Sequence, residues 1–123
     1  MAFLTDRKRA VGLGSAKKGT GHFWNMTVSS AALAILVPLF VFTFGRILGA
    51  PYEEVVAYYG RPFPAVVAAL TLVVGLVHFK NGAQVMIEDY TGGLTRKALI
   101  VAVICLSYAA MAAGLFGLVR LAL

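Results

Sequence analysis

Three apolar runs, each long enough to cross a lipid bilayer, decide what this chain can fold into. They cover about Asn25–Leu48 (NMTVSSAALAILVPLFVFTFGRIL), about Pro64–Asp89, and about Thr95–Val119 (TRKALIVAVICLSYAAMAAGLFGLV). A hydrocarbon core takes roughly 20 predominantly apolar residues in helical form to cross. Lipid offers the backbone no hydrogen-bond partners, so only a helix or a closed barrel satisfies it from within. Of the 123 residues, 60% are hydrophobic and 13% are charged. A soluble domain of this size has too little interior to hide so much apolar surface. The expected fold is therefore an all-α membrane protein with three transmembrane helices. Residues 1–24 form an N-terminal arm and 25–123 a three-helix anchor. The first run begins too far into the chain, and is too long, for the apolar core of a cleavable signal.

The formal net charge of +6 does not point to nucleic acid, because the basic residues sit in short clusters between apolar runs. Arg7, Lys8, Arg9, Lys17 and Lys18 precede the first span, and Lys80, Arg96 and Lys97 flank the connection after the second. The opposite side carries Arg46, Arg61 and Arg120. By the positive-inside rule, the N-terminus and the Glu88–Arg96 connection face the cytoplasm and the C-terminus faces the periplasm. The segment GLGSAKKGTG is rich in glycine, but it lacks the Gly-Lys-Ser/Thr ending of a phosphate loop and follows no strand. It reads as a flexible arm, with His22, Phe23 and Trp24 marking the membrane interface. The segment GAPYEEVVAYYGRPF reads as an outer loop with belt tyrosines and turn residues. The lone Cys105 reads as a small core residue. On the third span, Ala109, Ala113 and Gly117 form a ridge of small residues, as do Ala110 and Gly114. Gly45 and Gly49 share that spacing at the end of the first span, where they also suit termination.

Chemistry concentrates in the second span, at VHFKNGAQVMIEDY, Val77 to Tyr90. His78 and Asp89 are eleven positions apart, about 1100° of helical rotation, so they share one face about 16 Å apart. Gly75 and Gly82 lie on that face too, which leaves room beside the imidazole for a flat, bulky group. With Asp89 and Tyr90 at the interface, His78 sits roughly halfway into a core of about 30 Å. An ionisable residue at that depth is costly and marks function by default, although an interhelical hydrogen bond would also place it there. Neutral imidazole is a common axial ligand of haem iron. A low-spin haem b takes two axial ligands, and His22 lies too near the surface for the same iron. On the haem reading the second ligand therefore comes from another polypeptide. Asp89 and Tyr90 fit either an ordinary interfacial pair or a quinone contact. In the latter the phenol donates to a carbonyl and the carboxylate relays protons. Lys80 and Glu88 read as solvated or snorkelling charges.

The arrangement of His78, ten residues, and Asp89-Tyr90 on the second of three spans resembles the hydrophobic membrane-anchor subunit family of succinate dehydrogenase, respiratory complex II. The segment GSAKKGTGHFW before the first span is similar to the alphaproteobacterial form. The resemblance implies that His78 is one axial ligand of haem b, with the other supplied by the cytochrome b subunit. It implies that Tyr90 hydrogen-bonds a ubiquinone carbonyl and that Asp89 supports that site. It further implies a flavoprotein subunit carrying FAD and an iron–sulfur subunit docked on the cytoplasmic face of the bacterial inner membrane. This chain would anchor the complex without itself oxidising succinate. One feature departs from the family. Members commonly carry an arginine after the aromatic start of the first span, where HFWNMTVSS has none. That leaves His22, Lys17, Lys18 or the partner subunit to meet a haem propionate. The alternatives are the anchor of another haem b quinone oxidoreductase such as fumarate reductase, a proton-relaying transporter subunit using His78 and Asp89, and a purely structural bundle.

Overall fold

The computed structural model describes residues 4–12, 14 and 19–122. It has five helices among them and no strand: α1 (Asp6–Val11), α2 (Gly19–Gly45), α3 (Tyr52–Tyr59), α4 (Pro62–Tyr90) and α5 (Gly93–Ala122). Three of these, α2, α4 and α5, are long and apolar enough to span a membrane. Each expected span lies within one of them, apart from the end of the first run, where α2 stops at Gly45. Gly49 follows with φ +83°, a left-handed conformation that terminates the helix, and nothing packs against either glycine. Within α2, Pro38 breaks one backbone bond without ending the helix.

The stretches expected to be irregular are partly helical. In the arm, the Thr5 hydroxyl accepts from the Lys8 N–H at 3.3 Å, Asp6 occupies the first turn, and Gly12 closes α1 at φ +56°. These are ordinary helix start and stop signals, and they make Asp6–Val11 a short helix ahead of the glycine-rich segment. The helix α2 begins at Gly19, so His22, Phe23 and Trp24 sit in its first turns, the latter two ring edge to ring face at 5.8 Å. Lys17 and Lys18 lie outside the described residues. The outer loop also folds one helix, α3, with Glu53 and Glu54 in its first turn where the helix dipole favours negative charge. Tyr59 is buried there, and burial pushes its phenol above the usual range, with Tyr58 adding to the shift.

Register follows from contacts along α4. The Ser29–His78 and Thr71–Leu36 pairs run α2 antiparallel to α4, and Leu72–Gly114 with Lys80–Tyr108 does the same for α5. The order is up-down-up. The helices α2 and α5 lie on different sides of α4, and their backbones do not approach each other. Among the described residues the buried apolar ones are few, Tyr59, Pro64, Val67, Ala68 and Ile87, whereas Ile35, Phe42, Leu106 and Phe116 are at least 66% exposed. An apolar surface of this kind is stable in lipid and not in water. Several hydroxyls are satisfied locally: Thr27, Ser30, Thr43, Thr71 and the α4 cap Thr91 each donate to the carbonyl four residues back, at 2.6–3.0 Å.

Of the two small-residue ridges, Gly114 makes the close approach. A Cβ built there would lie 2.5 Å from Leu72 Cδ2. Ala109 and Ala113 face outward, and nothing packs against Gly117. Cys105 is also exposed, contrary to the core expectation, because α5 turns only one face to α4. Gly114→Leu is expected to destabilise the α4–α5 packing by about 1–3 kcal/mol, the usual cost of overpacking. Adding Leu72→Ala should recover most of it. Thermal unfolding of the detergent-solubilised complex measures both.

Candidate functional site

His78 stands twelve residues before the end of α4, about 18 Å along its axis, and is half-buried. Its imidazole points across to α2, where Nδ1 lies 2.9 Å from Ser29 Oγ. The same oxygen lies 2.7 Å from the Asn25 carbonyl and 3.0 Å from that of Met26. A serine hydroxyl carries one proton, and both carbonyls can only accept. With that proton on the Asn25 carbonyl, the shortest of the three contacts, Oγ has only acceptor capacity left for His78. The contact then selects the Nδ1–H tautomer, which keeps the lone pair on Nε2.

On the face expected to be open, the neighbour is α2. A Cβ at Gly75 would meet Leu33 Cδ2 at 4.0 Å, and one at Gly82 would meet Met26 Cε at 3.8 Å. The glycines let the ends of these two side chains come alongside α4 on either side of the Ser29–His78 contact. With Nδ1 facing Ser29, a ligand of His78 approaches through Nε2.

Three further polar groups, Asn81, Lys80 and Ser107, sit near the same level, and the sequence alone did not bring them together. Asn81, one turn from His78, is 8% exposed and lines a groove of about 340 Å³ with Asn25, Ser29, Val77 and Lys80. The Lys80 ammonium lies 5.5 Å from the centre of the Tyr108 ring on α5. It is a half-buried cation beside an aromatic face, a contact that a snorkelling lysine can make. Ser107, beside Tyr108, is 4% exposed, and its hydroxyl has no partner among the described residues. Together these make a polar layer through all three long helices. Each residue taken alone looked like an isolated polar position in an apolar run, and only the antiparallel register aligns them.

At the end of α4, Asp89 and Tyr90 are both exposed, Tyr90 at 85%. Asp89 lies on the same side of α4 as His78 by helical phase. Glu88 is exposed and accepts from Gln84 Nε2 at 2.8 Å. The connection to α5 is short: Thr91 caps α4, and Arg96 Nε donates to the Thr91 carbonyl at 2.7 Å. Tyr90 is held at the rim with its phenol free of intrachain partners among the described residues. His22 is seven residues before Ser29 on α2, about 10 Å along the axis. Its Nε2 is shielded and lacks a partner among the described residues. No group of three or more His, Cys, Asp or Glu gathers among the described residues, and a shared axial site asks only one histidine of each chain.

Residues 2–114 match the family model described as succinate dehydrogenase/fumarate reductase transmembrane subunit. The succinate dehydrogenase hydrophobic membrane anchor subunit of Paracoccus denitrificans is 48% identical over 123 residues, covering 100% of this chain and 95% of that protein. No solved structure matches the chain.

Proposed function

Because this chain belongs to the succinate dehydrogenase/fumarate reductase transmembrane-subunit family, we propose that it anchors a succinate:ubiquinone oxidoreductase and builds part of its haem b and quinone sites. The observation that carries the reading is the Ser29–His78 bond, which leaves Nε2 of a mid-span imidazole with its lone pair. That is the donor a haem iron takes, and the residues present fit the group. Haem b, when bound, would supply a one-electron couple. His78 would hold it from this chain, and a histidine of the cytochrome b subunit would hold it from the other. A propionate would be met by His22, Lys17 or Lys18 of this chain or by the partner subunit.

Tyr90 donates its phenolic proton to a ubiquinone carbonyl at the membrane rim. Asp89 orients that phenol and passes protons from the aqueous side, since ubiquinone reduction consumes two. The end bearing Arg7, Lys8, Arg9, Arg96 and Lys97 faces the cytoplasm, with residues 1–24 as an arm there, and the inner bacterial membrane is the site. The iron–sulfur and flavoprotein subunits dock at that end. Succinate oxidation is favoured over fumarate reduction by the name and the full-length similarity of the Paracoccus relative.

The test is purification of the tagged chain from membranes. Three further polypeptides, a flavin and a b-type band in the reduced-minus-oxidised spectrum are expected. A chain that purifies alone, with neither flavin nor haem, would sink the proposal and favour a transporter subunit or structural bundle.

A further inference from the structure

We propose that Ser29 is the positioning residue for the haem ligand: it fixes His78 as the Nδ1–H tautomer, aims Nε2 at the iron, and sets how strongly that nitrogen donates. The inference rests on the haem reading above and adds a residue that neither its own helix nor its spacing marks. Three distances carry it. Ser29 Oγ is 2.7 Å from the Asn25 carbonyl and 3.0 Å from the Met26 carbonyl, both on its own helix, and 2.9 Å from His78 Nδ1 on the neighbouring one. The backbone bond uses the only hydroxyl proton and pulls electron density toward Oγ, which makes the oxygen a better acceptor for Nδ1–H. Ser29 is 7% exposed, so water does not compete for that bond.

Hydrogen bonding at the distal nitrogen of a metal-bound imidazole orients the ring and raises its basicity. A more basic axial nitrogen stabilises ferric over ferrous iron and so lowers the reduction potential. Ser29 also lies on α2 while His78 lies on α4, so the bond ties the ligand's aim to the seating of α2. Met26 and Leu33, one turn away on either side, pack at Gly82 and Gly75 and hold that seating.

The test uses the whole purified complex with Ser29→Ala, Ser29→Cys, Ser29→Thr and Ser30→Ala. The readouts are haem content, haem loss to excess apomyoglobin, and the haem midpoint potential by redox titration. Ser29→Ala removes the acceptor, and haem retention is expected to weaken by about 10–100-fold, the usual cost of losing such a partner. Its midpoint potential should rise. Ser29→Thr keeps the hydroxyl and should restore both values toward those of the unaltered complex. Ser30→Ala, which removes an exposed hydroxyl bonded only to the Met26 carbonyl, should change neither.

If Ser29→Ala does not assemble, Ser29→Cys decides the matter. It preserves the size of the side chain but offers only a weak acceptor, and its potential should rise as well. A haem that stays at the original potential and affinity in Ser29→Ala, or in Ser29→Cys where alanine fails to assemble, overturns the role of Ser29 and leaves the haem reading standing. An unaltered complex with no b-type band overturns the haem reading itself.

Discussion

In a complex carrying His78→Ala, the dithionite-reduced spectrum is expected to lose the b-type haem band that the unaltered complex shows. Alanine removes the one imidazole at mid-span, and no other side chain of the chain can replace it. The other histidine, His22, stands about 10 Å further along α2 from Ser29, more than a ligand swap can absorb. His22→Ala should accordingly keep the band. Losing one of two axial ligands removes the low-spin form even where the porphyrin stays trapped by its partner chain. A six-coordinate spectrum unchanged in His78→Ala, or one abolished only in His22→Ala, would show the ligand to be elsewhere. The flavin and succinate oxidation by an artificial dye should persist, because neither draws on residues of this chain. Their loss alongside the haem would reveal an assembly defect, and comparing the four polypeptides on a gel separates the two cases.

Tyr90→Phe should lower ubiquinone reduction by about 100-fold, the low end of what a positioned proton donor contributes, while the dye reaction stays near its starting rate. Phenylalanine keeps the ring and deletes only the hydroxyl. At 85% exposure that hydroxyl supports no packing within the chain, so a folding defect is not the expected result. Equal loss of both activities would instead point to failed docking of the soluble subunits. Unchanged quinone reduction would return Tyr90 to the role of an interfacial anchor, a common place for tyrosine in membrane helices.

What the sequence made legible follows from periods and thresholds. Twenty apolar residues suffice to announce a span, and eleven positions of helix suffice to put His78 and Asp89 on one side. Those inferences need one helix at a time. Ser29 needed two. Its neighbour Ser30 has the same chemistry and nearly the same surroundings in the sequence, yet it turns outward and bonds only to its own backbone. Only the α2–α4 register, set by Met26 and Leu33 against two glycines, separates them. The same register gives Gly75 and Gly82 neighbours that the sequence could not name: missing side chains signal close approach, and the ends of Leu33 and Met26 on α2 make it. The neighbour of Lys80 was hidden for a related reason: Tyr108 lies on α5, 28 positions on. The helices α1 and α3 were legible in principle, since Thr5, Gly12 and the Glu53-Glu54 pair are local signals. They were outweighed by the glycines and prolines around them.

The separation of α2 from α5 divides the chain's obligations. His78, Ser29, Asp89 and Tyr90 all belong to the long hairpin of α2 and α4, and α5 meets α4 from another side without bearing on the Ser29–His78 bond. The two seams answer to different selective pressures. Along the first, a change of one hydroxyl alters an electronic property. Along the second, at Leu72 and Gly114, the demand is one of volume. Away from Ser107 and Tyr108, α5 is therefore open to any change that keeps size, while α2, which has no titratable group between His22 and Arg46, is held at Ser29 by a histidine it does not contain.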